Sequence, residues 1–196
     1  MLKRIVLVLT ASIFMASVAW ANPTEDVKKT VDEVVRIVAD KEMKKNETKR
    51  RQALKKTISA IFDYTEMAKR SLGKHWNVRT AAEKKQFAEL FATLLENSYA
   101  GKIESYNNEK IVYIKEIVDE DHAEIKSKVV TAARDEFTLD YRLFKQNGKW
   151  MVYDVVIEGV SLVSNYRSQF NKIITANGYD KLVKKLQSKS EELKAP

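Results

Sequence analysis

The sequence predicts an α+β domain in which N-terminal and C-terminal helices pack on a curved, mainly antiparallel sheet of four strands. Three observations predict it. Apolar residues recur at helical spacing from residue 22 to about 101. They alternate instead between residues 109 and 157, and Asn147-Gly148 separates two of the alternating runs by a two-residue turn.

The first twenty-one residues stand apart from this pattern. Lys3 and Arg4 precede an apolar run from Ile5 to Val18, followed by Ala19-Trp20-Ala21. A basic start, an apolar stretch too short to span a bilayer and a small-x-small end predict a secretory signal peptide cleaved after Ala21. Residues 22–196 then form one domain, since a chain of 196 residues holds one sizeable core more readily than two. There is no Cys, so an exported chain of this kind is held by its core and not by disulfides.

The formal charge is +8; without Lys3 and Arg4, 33 basic residues stand against 27 acidic ones, a net +6. No basic run with interleaved aromatics occurs, which excludes the usual pattern for binding single-stranded nucleic acid. A mildly basic surface suits transient docking on anionic lipid headgroups or acidic proteins.

Along the chain, Val27, Val31, Val34, Val35 and Val38 place one apolar stripe on a first helix, and residues 41–51 read as a charge-rich connection. Leu54, Ile58, Ile61 and Phe62 mark a second helix ending near Asp63. Asp63-Tyr64-Thr65-Glu66 has capping-box form and opens a short third helix, with Met67 and Leu72 inward, that Gly73 closes. Thr80 and Glu83 form a second box before the longest stripe, Phe87, Leu90, Phe91, Leu94, Leu95 and Tyr99, ended by Gly101.

Residues 109–118 are apolar on both sides, which suits a central or doubly covered strand. Ala123, Ile125, Ser127 and Val129 alternate with charged residues, as do Phe137, Leu139, Tyr141 and Leu143 with polar ones, so each strand has one buried and one wet face. An unbroken ladder across Asn147-Gly148 sets Leu143 opposite Val152, Tyr141 opposite Asp154 and Leu139 opposite Val156. After Gly159 comes a helix carrying Leu162, Val163, Tyr166, Phe170, Ile173 and Ile174. A last helix opens at Asp180 with Leu182, Val183 and Leu186, and the residues from Ser188 read as a polar tail.

Two histidines and no cysteine leave too little for a zinc site of the usual kind, and five glycines include no phosphate-cradling loop. Ser161 lacks a nearby histidine and reads as a helix N-cap. Asp154 beside Tyr141 has two readings. It is a structural carboxylate accepting bonds from Tyr141 or backbone amides, or it is an acid held protonated for catalysis in an apolar site. Without further information the apolar stripes read as ordinary core.

Three stretches, Trp150-x-Val152-Tyr153-Asp154-Val155, Glu158-Gly159-Val160-Ser161-Leu162-Val163 and Asn165-Tyr166-Arg167-x-Gln169-Phe170, together resemble the C-terminal signature of the MlaC family, the toluene-tolerance type of periplasmic phospholipid-binding protein. Phe62-Asp63-Tyr64, Met67-Ala68 and Leu72-Gly73-x-x-Trp76 are similar to the family's earlier recurrent stretch. The resemblance implies a sheet like that of nuclear transport factor 2, enclosing an apolar cavity, in a non-enzymatic carrier that shuttles phospholipid between outer and inner membranes. On it, Phe91, Leu94, Leu95, Tyr99, Leu139, Tyr141, Val156, Val160, Leu162, Val163 and Tyr166 are expected to line the cavity.

The resemblance further implies phospholipid as cargo with no cofactor and no metal, and a monomer in the periplasm. Its implied partners are an outer-membrane lipoprotein complex and an inner-membrane ABC transporter with an MCE component. Arg134, Arg142 and Arg167 are docking candidates. Alternatives are an adaptor or chaperone whose groove takes a peptide or lipoprotein tail, a carrier of another apolar cargo such as a hopanoid, and an enzyme using Asp154 and Tyr141.

Overall fold

A computed structural model describes residues 22–192; the expected signal peptide lies outside the described residues. Helix α1, Pro23–Ala39, starts where Asn22 accepts the Thr24 and Glu25 amides at 3.0 and 3.2 Å. The expected charged connection is itself helical: α2, Lys41–Lys45, and α3, Glu47–Ser59, are capped by Asp40 and Asn46. Side-chain acceptors at each start supply the partners that orphan helix amides require.

Helix α3 stops at Ser59, short of the expected end near Asp63, because the chain there turns to bond a strand. Ile61 accepts the Val152 amide at 2.7 Å and the Asp63 amide donates to Val152 at 3.0 Å. Asp63 then caps α4, Tyr64–Leu72, through the Glu66 amide, and Glu66 turns to Lys69 and Arg70 instead of completing a box. The Thr80–Glu83 box that opens α5, Ala81–Glu104, is complete. This helix runs through Gly101, since Ile103 gains packing on a cluster of Ile37, Val38 and Leu54.

The sheet has strand order β1-β2-β3-β4-β5, all pairs antiparallel: β1 Lys110–Asp119, β2 His122–Val130, β3 Glu136–Gln146, β4 Lys149–Ile157 and a two-residue β5, Val160–Ser161. The fold is thus the expected antiparallel sheet with helices, enlarged by one short strand. Asn147 and Gly148 both have positive φ, at 50° and 79°, as the predicted two-residue turn requires. Strand β1 lies at the edge and not in the centre, with Val112, Ile114, Ile117 and Val118 exposed.

Past Leu143–Val152 the ladder slips by one residue. Tyr153 is the extra residue of a β-bulge, its ring facing Phe144 at 6.1 Å and the Arg70 guanidinium at 3.8 Å. Asp154 therefore opposes Arg142 and not Tyr141, Val155 opposes Tyr141, Val156 opposes Asp140 and Ile157 opposes Leu139. A one-residue slip inverts the faces of everything beyond it.

One sheet face carries Ile125, Tyr141, Leu143, Trp150, Val152 and Val155 against Val27 and Ile61. Helices α6, Leu162–Asn177, and α7, Tyr179–Glu192, join α4 and α5 around a second cluster that includes Met67, Phe87, Phe91, Val163, Phe170 and Leu182. Residues 188–192 of the expected polar tail continue α7, on which Leu186 and Ser190 are buried.

Candidate functional site

The two clusters meet along a line of aromatic and aliphatic side chains. Phe62 packs against both, Leu162 packs on the sheet cluster, and the next residue, Val163, is buried in the helical one. Leu94, Tyr99 and Tyr166 from the helical side, and Tyr113, Leu139 and Ile157 from the sheet side, are half-buried around these cores. Their apolar surface is not sealed as that of the core residues is.

The structure divides the residues expected to contact acyl chains. Phe91, Leu95 and Val163 are buried in the helical cluster. Phe91 stacks edge-on to Tyr166 at 5.3 Å and to Phe170 at 5.6 Å. Tyr141 is buried in the sheet cluster, with Leu139 and Leu162 half-buried beside it. Val156 is buried, but the bulge turns it to the face opposite Tyr141, and Val160 is 56% exposed on β5. Ile157 and Val155 occupy the places that an unbroken ladder gives to their neighbours.

Neither Tyr113 nor Phe62 is among the residues expected to line the cavity. Tyr113 shares its strand with apolar residues in both phases, so alternation there has no contrast to read. In the structure it faces Ser127 across the ladder, and its hydroxyl is buried without a hydrogen-bond partner. Burial, with Asp32 and Glu25 nearby, pushes its phenol up to about 12. Burial and the neighbouring Tyr113 likewise raise Tyr141, and burial and Tyr166 raise Tyr99. These hydroxyls stay neutral at ordinary pH and leave the boundary uncharged.

The opposite sheet face is ionic. Lys126 pairs with Glu124 at 2.8 Å and Asp140 at 3.0 Å, and Arg142 pairs with Asp154 at 3.3 Å and Glu124 at 3.5 Å. Asp154 is 2% exposed, accepting the Ser161 hydroxyl at 2.6 Å and the Val163 amide at 3.0 Å. Ser161 in turn accepts the Ser164 amide at 3.0 Å as the N-cap of α6. The carboxylate serves as a structural acceptor for a backbone amide, and the expected Tyr141 partner is replaced by Ser161 and Arg142.

The three docking candidates lie apart. Arg134 is exposed in the β2–β3 turn at φ 70°, Arg142 is held in the ionic ladder, and Arg167 lines a groove between α4 and α6. Among the described residues no group of His, Cys, Asp and Glu is placed to hold a metal, and no helix is long and apolar enough to cross a membrane.

Comparison with known proteins assigns this arrangement to a family. The model of the MlaC protein family matches residues 28–188. The chain is 28% identical over 126 residues to the intermembrane phospholipid transport system binding protein MlaC of Haemophilus influenzae, a match covering 62% of this chain and 59% of that protein. It is 27% identical over 183 residues to toluene tolerance protein ttg2D of Pseudomonas putida, covering 91% and 85% of the two chains. A solved phospholipid-binding protein from Ralstonia solanacearum, in complex with a phospholipid, has TM-score 0.81 and 26% identity over 89% of this chain and 100% of its own. A family match across nearly all the described helices and strands, on a fold shared with a phospholipid complex, establishes that this chain belongs to the MlaC family.

Proposed function

We propose that the protein is a periplasmic phospholipid carrier that encloses acyl chains between the sheet and helix clusters and leaves the headgroup in water. The observation that carries this reading is the likeness, at TM-score 0.81, to a structure solved with phospholipid bound. The half-buried boundary of Leu94, Tyr99, Tyr166, Leu139 and Leu162 supports it from this chain's own side chains. Val163, Tyr141, Phe91 and Leu95 back that boundary; Val160, exposed on β5, belongs to its rim, and Val156 faces away from it.

The energetics explain why a carrier is needed. A two-chain phospholipid exposes about 30 methylenes on leaving a bilayer, at roughly 0.8 kcal/mol each, or about 24 kcal/mol in all. Enclosing the tails removes that barrier, and the headgroup needs no chemistry from the protein. The reading is therefore of cargo transfer without catalysis and without a cofactor.

In this proposal residues 1–21 direct export and are cleaved after Ala21, and the mature protein acts as a monomer. It exchanges lipid with an outer-membrane lipoprotein complex and with an inner-membrane ABC transporter bearing an MCE component, maintaining outer-membrane lipid asymmetry. Arg134 and Arg167 are the exposed candidates for those contacts. The test is transfer: delipidated protein incubated with vesicles of tail-labelled phospholipid, then separated by size, carries label with it. Protein that emerges unlabelled overturns the proposal and favours a peptide-binding adaptor.

A further inference from the structure

The connection between α4 and α5 carries an arrangement that enclosing a lipid tail does not use. Val78 is 69% exposed, the largest exposure among the exposed large apolar residues described. Two residues before it, Trp76 packs against the helical cluster and lies 5.8 Å from the Lys84 ammonium. An open groove of about 460 Å³ adjoins this connection. Its charged lining is Lys69, Arg70, Lys74 and Arg167 against Glu66 alone, a net +3.

Glu66 is already engaged, by Lys69 at 3.0 Å and Arg70 at 2.8 Å. No carboxylate among the described residues pairs with Lys74 or Arg167. The Arg167 side chain is nevertheless held in place. Its Nε donates to the Arg70 carbonyl at 2.7 Å, and its aliphatic carbons fill the space that a side chain at position 73 would approach within 3.5 Å. Gly73 keeps that space open, and its φ of 57° suits the turn that leads to Trp76.

Two cations without carboxylate partners, an amphipathic indole and a projecting apolar side chain within a few residues form the combination that a bilayer surface recognises. Phosphates meet the cations, the indole takes the interfacial level, and the apolar tip enters among the acyl chains. A free phosphate would use the charges and leave Val78 unexplained. We propose that the Gly73–Arg79 connection and the adjoining groove dock this protein on an anionic phospholipid surface, with Lys74 and Arg167 on lipid phosphates and Val78 inserted.

The test is co-sedimentation of the full mature chain with vesicles of phosphatidylglycerol and phosphatidylethanolamine, beside vesicles of phosphatidylcholine alone. Binding is expected to the anionic vesicles, to weaken as salt is added, and to fall roughly tenfold or more in Lys74→Gln/Arg167→Gln. Val78→Asp weakens binding as well, whereas Lys44→Gln/Lys45→Gln on α2 leaves it unchanged. Circular dichroism and the lipid extracted from each variant separate docking from folding and from carriage. Equal binding to phosphatidylcholine, or binding that the groove and Val78 substitutions leave intact, overturns the proposal. So does an absence of vesicle binding by a folded protein that still holds cargo, an outcome that points the groove to an acidic protein partner.

Discussion

The Asp154 carboxylate receives the Ser161 hydroxyl at 2.6 Å, and through it the last full strand is tied to the helix that follows. Asp154 also takes the Val163 amide at 3.0 Å, so one buried side chain satisfies two donors at the start of α6. Removing it leaves both donors without their acceptor and the Arg142 guanidinium with Glu124 alone.

Asp154→Ala is accordingly expected to destabilise the protein by about 3 kcal/mol, lowering Tm by roughly 6–12 °C, as measured by thermal unfolding. Asp154→Asn keeps an acceptor for one donor and is expected to lose less. Variants that remain folded retain their lipid. Loss of loading by a fully folded Asp154→Asn would refute the structural role.

The Tyr113 hydroxyl has the reverse standing, a buried polar atom without a partner. Tyr113→Phe is expected to be neutral or stabilising by about 1 kcal/mol at pH 7, read from the urea midpoint. The pH dependence has a definite sign. Burial raises the folded phenol from 10 to about 12, so the group's contribution is complete below pH 10 and is lost as pH rises toward 12. Wild type should therefore lose stability over that window faster than Tyr113→Phe, and identical slopes would contradict the assignment.

The proposed wall and the core differ in exposure. Phe91 is 0% exposed among aromatic neighbours, and Phe91→Ala is expected to cost about 3–5 kcal/mol. Leu94 and Leu162 are half-buried at the boundary. Enlarging them, as Leu94→Trp or Leu162→Trp, should change stability by about 1 kcal/mol while displacing tail volume. Phospholipid retained per protein, measured after gel filtration, should fall by half or more in these two. Full retention would remove them from the wall.

Much of this architecture is legible in the residues themselves. Asn147-Gly148 placed the hairpin turn, Thr80 and Glu83 the start of α5, and Ser161 the cap of α6, because each is a local hydrogen-bonding or conformational requirement. The bulge at Tyr153 is different in kind. The extra residue contacts Phe144 and Arg70, a residue 83 positions earlier, and alternation in β4 alone does not reveal it. The edge position of β1 is hidden for a similar reason, since Val112, Ile114, Ile117 and Val118 carry the composition of a covered strand. The candidate site was legible as a set of apolar stripes, while the division of those stripes into sealed and half-buried residues depends on how two clusters meet at Phe62.

Phospholipid held by the protein itself tests the central claim most directly. Mature protein purified without detergent is extracted with organic solvent and the extract identified by mass spectrometry. The account predicts phospholipid in stoichiometric amount. Protein that yields none, and takes up none from vesicles, would mean that the apolar boundary is ordinary core and would contradict the account.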